Sequence, residues 1–267
     1  GALRDSVTEQ IILWKGKKDM IRVIIHGCNG RMGKVISGMI SAEEQMEVAA
    51  GVDITGEGND GYPVYTSLEA CDVAADVVVD FSSPLAFDAL LKGCVEKKLP
   101  LVVCTTGLGE AQLSALDEAS KEIAVLRSAN MSVGINLLMK VLSQVTPILS
   151  RAGFDIEIVE RHHNRKKDAP SGTALALADA ANSAVDGKYT YIFDRSGRYE
   201  QRQENEMGIS AVRGGTIVGD HEVIFAGTDE VIEFNHRSYS RAVFARGAVE
   251  AARFLCGKTS GMYSMHD

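Results

Sequence analysis

Between residues 20 and 130, short runs of consecutive apolar residues alternate with segments in which apolar residues recur at helical spacing, and this alternation admits few folds. "IRVIIH" (21–26) is the first such strand. It runs straight into "GCNGRMG", after which Met32, Val35, Ile36, Met39 and Ile40 fall at helical spacing. "MEVAAGVD" (46–53) then closes a βαβ unit of about 30 residues. The pattern repeats through "ADVVVDF" (75–81), a helix over 84–98 with Pro84 at its start, "LPLVVCTTG" (99–107), a helix over 110–121 and "IAVLRSAN" (123–130). Strands apolar on both faces need cover on both sides, so the spacing predicts an α/β fold with a doubly wound parallel sheet.

After Asn130 the pattern changes. A long helix is expected near 135–150, and in "FDIEIVE" Phe154, Ile156 and Ile158 alternate with Asp155 and Glu157, the period of a strand with one buried face. Further strands of this kind are expected at 189–194, 208–213, 221–226 and 230–236, with turns at Gly214-Gly215 and Gly227-Thr228-Asp229. "RAVFARGAVEAARFLCGK" (241–258) is helical and its small apolar face suits packing back onto the first domain. The reading is therefore a dinucleotide-binding domain over 20–131 and 241–267, interrupted by an inserted α+β domain with a mixed sheet over 132–240. Residues 1–19 fall outside the pattern and are taken as an extension, since Met20 opens the first strand and would serve as a natural start.

With 45% hydrophobic and 24% charged residues among 267, the composition is that of a globular chain. A net charge of -8 argues against binding a phosphate backbone over the whole surface. No run approaches the roughly 18 apolar residues of a membrane helix and no signal-peptide arrangement is visible, so no membrane, no nucleic-acid partner and a cytoplasmic location are expected. The five cysteines (28, 71, 94, 104, 256) show no CxxC spacing and read as reduced thiols, without a disulfide framework or a metal site.

"GCNGRMG" departs from G-x-G-x-x-G in placing Asn29 at the second glycine position, although Asn tolerates left-handed backbone better than most residues. A tight turn that binds nothing would use similar residues. The context favours a dinucleotide: the turn follows a strand, opens an amphipathic helix, and Asp53 ends the next strand 20 residues after Gly33. Gly27, Asn29, Gly30, Arg31 and Met32 would offer N–H groups and the helix dipole to a pyrophosphate, and Asp53 would take both ribose hydroxyls. A carboxylate there repels a 2′-phosphate, and Ile54 follows in place of a neutralising arginine, so NADH is expected to be at least accepted. Cys104, Thr105, Thr106 and Gly107, and then Ser128, Ala129, Asn130 and Met131, close two later strands where the nicotinamide end would lie.

"ERHHNRKKDAPSGT" (160–173) sits at a strand end and leads into the alanine-rich helix "ALALADAANSAV". Ser171 or Thr173 can cap that helix, and Gly172 lets backbone N–H groups approach an anion, so the loop suits an acidic small molecule. His162 and Lys166 can supply protons, and their mutual repulsion is relieved when a dianion binds. Taken alone, the segment fits a solvated basic loop as well as it fits catalysis.

The pattern E-x-H-H-x-x-K-x-D-x-P-S-G-T-A, matched by Glu160, His162, His163, Lys166, Asp168, Pro170, Ser171, Gly172, Thr173 and Ala174, closely resembles the signature of the 4-hydroxy-tetrahydrodipicolinate (dihydrodipicolinate) reductases of the diaminopimelate route to lysine. "GCNGRMG", "TTG" at 105–107 and "AN" with "SVG" at 129–134 resemble the same family in the same order, so the likeness covers nearly all of 20–267. The resemblance implies hydride transfer from NADH or NADPH to a cyclic imine dicarboxylate, with loss of water from the hydroxylated precursor. It further implies acid/base work by His162 and Lys166, carboxylates held by His163, Ser171, Gly172 and Thr173, and a homotetramer built through the sheet of the second domain. Which of His162 and Lys166 delivers the proton stays open. Ile54, Ser83, Cys104 and Met131 replace residues common in the family near the cofactor, which bears on cofactor preference more than on reaction type. An amino-acid or keto-acid dehydrogenase on the same fold would not need the full His-His-Lys pattern, and neither would a redox-sensing nucleotide-binding protein.

Overall fold

A computed structural model describes residues 20–59 and 61–267, so the extension at 1–19 lies outside the described residues. The chain forms two compact units, one of residues up to Arg127 with Ala248–Tyr263, the other of Ser128–Gly247 with Ser264–Asp267.

The first unit runs β1 (Ile21–His26), α1 (Arg31–Ser41), β2 (Met46–Val52), β3 (Val64–Tyr65), β4 (Val77–Asp80), α2 (Pro84–Lys97), β5 (Leu101–Val103), α3 (Glu110–Ala119) and β6 (Ala124–Arg127). With a late strand β12 (Gly261–Tyr263) these make a seven-stranded sheet in the order β12-β6-β5-β4-β1-β2-β3, parallel throughout. The doubly wound parallel sheet expected from the apolar runs is present, and Ile24, Val78, Phe87, Leu90, Leu101 and Val125 fill its core. The sequence reading missed β3 and β12, because runs of two and three residues carry no period. The strand order reverses beside β1, with β2 and β3 on one side and β4 onward on the other, and the end of β1 pairs with the end of β4, His26 opposite Asp80. In open α/β sheets ligands bind outside the carboxyl ends of the strands at such a point.

The second unit contains α4 (Val133–Arg151), β7 (Asp155–His162), α5 (Gly172–Ser183), β8 (Thr190–Ile192), β9 (Glu206–Arg213), β10 (Gly219–Ala226) and β11 (Val231–Ser238); the chain leaves it within α6 (Ala242–Leu255). Its sheet, ordered β11-β10-β7-β9-β8, is mixed: β9 lies parallel to β7 and β8, while β10 is antiparallel to β7 and β11. Register stacks the inward side chains in rows across β7, β10 and β11: Ile156–Phe225–Ile232, then Ile158–Val223–Phe234, then Glu160–His221–His236. Two rows belong to the apolar core with Leu142, Leu177 and Ala178, and the third is polar. By length and composition α4 is apolar enough to cross a membrane, although polar residues such as Asn136, Lys140, Ser143 and Gln144 interrupt its apolar run. Its apolar character has another use, because Leu138 and Leu142 belong to the core of this unit. Beyond β8, Arg195, Arg198 and Arg202 fold the following loop back onto Asp155, Glu157 and Glu206 through ion pairs of 2.6–3.0 Å.

Candidate active site

In the first unit the glycine turn is built for close backbone approach. Gly27 has φ +80°, and a Cβ there would lie 2.6 Å from the Phe81 carbonyl oxygen. A Cβ on Gly33 would meet the Gly27 carbonyl oxygen at 2.1 Å, so the helix rests directly on the turn. Gly30 caps α1 without any side-chain hydrogen bond, which leaves the first-turn N–H groups for an anion. Asp53 follows β2 with its carboxylate already oriented: it accepts from the Asn29 N–H at 3.1 Å, the Thr55 N–H at 3.1 Å and the Thr55 hydroxyl at 3.0 Å. Asn29 in turn donates to Thr55 Oγ1 and the Glu57 carbonyl, both at 3.0 Å, so it ties the turn to the acid loop. Arg31 is exposed at the start of α1, with Met32 half-buried beside it. A cradle that only glycine fits, open helix N–H groups and a fixed acid after β2 suit a dinucleotide.

At the ends of β1 and β4 a buried pair appears that the sequence reading did not single out. His26 Nδ1 lies 2.8 Å from Asp80 Oδ1, and the same oxygen accepts from the N–H and hydroxyl of Ser82. Thr105, buried just beyond β5 after Cys104, accepts from the Ser82 N–H at 3.0 Å. Thr106 is exposed, and Gly107 has φ +79°. A polar residue ending each of two apolar strands was the available signal.

The polar row of the second unit lies under the histidine-lysine segment. Glu160 and His162 continue the inward phase of Ile156 and Ile158. The Glu160 side chain is fully buried, receives the His162 Nδ1 at 2.6 Å and the Ser171 N–H at 2.9 Å, and is gripped by both terminal nitrogens of Arg213 at 2.7 and 2.6 Å. Burial pushes this carboxyl up, but Arg213, His162 and the Ser171 N–H outweigh it and hold it below its usual range. Ser171 caps α5 by accepting from the Ala174 N–H at 3.1 Å, and its hydroxyl lies 3.0 Å from His221 Nε2. Burial and then the neighbouring His162 push His221 down to about 4, so it is neutral at ordinary pH. The rings of His162 and His221 meet edge-on at 5.1 Å. Lys166 pairs with Asp168 at 2.9 Å. His163 is shifted down by burial, then by Arg165, Arg241, His162 and Lys166, and its Nδ1 is buried without a partner. A Cβ on Gly172 would meet nothing within 4 Å, so the helix start is open.

Ser128, Ala129, Asn130 and Met131, expected near the nicotinamide, belong to this unit. Ser128 accepts from the Met265 N–H at 2.7 Å, and the Met131 carbonyl is where a Cβ on Gly247 would strike. Asn130 accepts from the Ser132 N–H at 2.8 Å and donates to the Thr173 hydroxyl at 3.0 Å, which joins it to the start of α5. Arg213, His221 and His236 are the members of the polar network that the sequence reading missed.

Comparison with known families matches residues 21–131 to "Dihydrodipicolinate reductase, N-terminus" and residues 134–267 to "Dihydrodipicolinate reductase, C-terminus". The chain belongs to the dihydrodipicolinate reductase family. It is 52% identical over 248 residues to the 4-hydroxy-tetrahydrodipicolinate reductase of Caldanaerobacter subterraneus subsp. tengcongensis, covering 93% of this chain and 98% of that one. It is 48% identical over 246 residues to the enzyme of the same name from Clostridium tetani, covering 92% and 96%. The solved structure of a dipicolinate-bound dihydrodipicolinate reductase from Paenisporosarcina sp. TG-14 superposes with a TM-score of 0.77 at 25% identity, covering 92% of this chain and 98% of that one. Membership in this reductase family makes the chain an oxidoreductase of lysine biosynthesis acting on 4-hydroxy-tetrahydrodipicolinate, with a nicotinamide dinucleotide as its cofactor.

Proposed function

We propose that the second unit seats the cyclic imine dicarboxylate at the start of α5 and protonates it through His162 and Lys166, and that the Gly27–Gly33 turn and Asp53 of the first unit hold the dinucleotide. When bound, the nicotinamide supplies the hydride, which goes to the β-carbon of the conjugated imine after water has left the hydroxylated precursor. The chain's own work is to bind, orient and deliver a proton to the α-carbon. One carboxylate is received by the α5 N–H groups of Gly172 and Thr173, which the Ser171 cap leaves to a ligand, and by the Thr173 hydroxyl. His163, held down by burial and by its basic neighbours, gains a counter-charge when the dianion arrives.

The observation that carries this reading is the joining of the acid/base histidine to the anion-binding turn: His162 and the Ser171 N–H meet on the same buried carboxylate. Asp53, followed by an exposed Ile54, favours NADH at least as strongly as NADPH. Cytoplasmic location and a homotetramer complete the proposal. The face of the five-stranded sheet opposite α4 and α5 carries half-buried Val159 and Ile224 with the Arg161–Glu222 ion pair, a surface suited to a second copy. One coupled assay tests the reaction, with the unstable precursor generated in place and NADH or NADPH oxidation followed optically. Turnover with both cofactors and none with keto-acid substrates is expected; oxidation driven by a keto acid instead would overturn it.

A further inference from the structure

The carboxylate of Glu160 is buried away from any ligand, yet it is the point on which the acid/base histidine and the anion-binding turn converge. It has no exposed area, and four donors reach it within 2.9 Å. They divide between its two oxygens. Oε2 takes His162 Nδ1 at 2.6 Å and Arg213 Nη1 at 2.7 Å, while Oε1 takes the Ser171 N–H at 2.9 Å and Arg213 Nη2 at 2.6 Å. Arg213 Nη2 also donates to the Asp168 carbonyl at 2.6 Å, which anchors the far end of the 163–168 loop to the same guanidinium. A fully buried carboxylate is retained only where it is paired and hydrogen-bonded, and this one satisfies that condition with donors from three separate segments.

We propose that Glu160 is a positioning residue: one oxygen fixes His162 as the Nδ1–H tautomer and so frees Nε2 for proton exchange, while the other seats the Ser171–Thr173 turn that receives the substrate carboxylate. The chemistry follows from the donor inventory. An ionised carboxylate only accepts, so a neutral His162 must carry its proton on Nδ1. The other nitrogen is then the basic one, and its orientation is fixed by the bond that the first makes. Neighbours share the task of holding it there: a Cβ on Gly219 would come within 3.1 Å of His162 Nε2, so the absence of a side chain leaves that nitrogen its room. His221 supports the second arm through Ser171 Oγ at 3.0 Å. The tautomer and the turn are thus set together, and this proposal rests on the reading of His162 as an acid/base group.

The division between oxygens makes the two arms separable. In Glu160→Gln the amide oxygen can keep the Ser171 and Arg213 Nη2 bonds, but the amide nitrogen in place of Oε2 donates, so the Arg213 Nη1 bond is lost and His162 must move its proton to Nε2 to accept from it. Nitrogen NMR on the full chain with isotope-labelled histidine, at a pH where imidazoles are neutral, reads the tautomer; His162→Gln assigns the signal. The parent protein is expected to show Nδ1–H and E160Q to show Nε2–H. With the tautomer change kcat falls on the order of 10²- to 10⁴-fold. Affinity for pyridine-2,6-dicarboxylate measured with NADH present changes by less than about threefold, whereas in Glu160→Ala it drops by about tenfold or more because the turn loses its anchor as well. An Nε2–H tautomer in the parent would overturn the proposal whether or not E160Q folds. So would an unchanged tautomer in E160Q with kcat and dicarboxylate affinity lost together, which is the signature of a structural role alone. A tautomer change with kcat intact supports the positioning and removes the chemistry from His162.

Discussion

If Asp53 faces the adenosine ribose as proposed, cofactor choice follows from its geometry. Its carboxylate is fixed by three donors, the Asn29 N–H and the Thr55 N–H and hydroxyl, so it does not swing away when a ligand arrives. The ribose hydroxyls of NADH donate to such an acceptor, and a hydrogen bond to a charged group is worth about 1.5–3 kcal/mol. A 2′-phosphate at the same place forfeits one of these bonds. It also sets about two negative charges against a third at roughly 4 Å, which costs about 1 kcal/mol per charge at the dielectric of water. The sum is about 3.5–5 kcal/mol, roughly 300- to 4,000-fold in affinity, since each 1.4 kcal/mol is tenfold. Arg31 and Lys34, both exposed in the first turn of α1, are cations that can give back some or all of this, so the expected range runs from parity to about a thousandfold preference for NADH. Ile54 is 86% exposed, so Ile54→Arg disturbs no packing. It adds an exposed charge pair worth about 0.2–1 kcal/mol, and should raise kcat/KM for NADPH up to about fivefold with little change for NADH. The assay is kcat/KM for both cofactors in parent and variant at fixed ionic strength. A tenfold preference for NADPH in the parent, together with no gain in I54R, would refute the reasoning and show that another cation already neutralises the phosphate.

Two further outcomes are expected. Thr173→Val removes a hydroxyl that Asn130 holds in place at 3.0 Å, and should raise both KM for substrate and the inhibition constant of pyridine-2,6-dicarboxylate by about three- to tenfold; an unchanged inhibition constant removes Thr173 from the binding turn. Glu206 is held down to about 2, first by its bond to Arg195 and also by Arg198, against an ordinary value of 4.5. A depressed carboxyl stabilises the fold above its unfolded pKa and ceases to do so as pH falls through the folded one. The thermal unfolding midpoint of the parent should therefore decline between about pH 4.5 and 2 by more than that of Glu206→Gln, and parallel curves would show that the ion pairs of this loop contribute nothing there.

Much of the first unit was legible because parallel strands buried on both faces print themselves as apolar runs, and β1, β2, β4, β5 and β6 all do so. The short β3 and β12 are defined by their neighbours and leave no pattern of their own. In the second unit the period-two signal located β7 to β11, but the parallel pairing of β7 with β9 depends on long-range register that local pattern does not contain. The histidine-lysine segment stood out as titratable residues before a helix, yet what makes Glu160 a buried hub is Arg213, 53 positions further on. A signal for the rest was there. His221 is in phase with Val223 and Phe225, and His236 with Ile232 and Phe234, so period two places both histidines on inward-facing positions. Asp80 and His26 likewise end apolar strands, but which of them face each other is a matter of sheet order.

The central claim is that proton delivery in this reductase belongs to His162, at the end of β7, and Lys166, on the loop that leads to α5. Its most direct test is the coupled assay on His162→Gln and Lys166→Ala, set beside calorimetric titration of each variant with NADH. The account predicts that kcat falls on the order of 10²-fold or more in each while NADH affinity stays within about threefold of the parent. Near-parental kcat in both variants would contradict it.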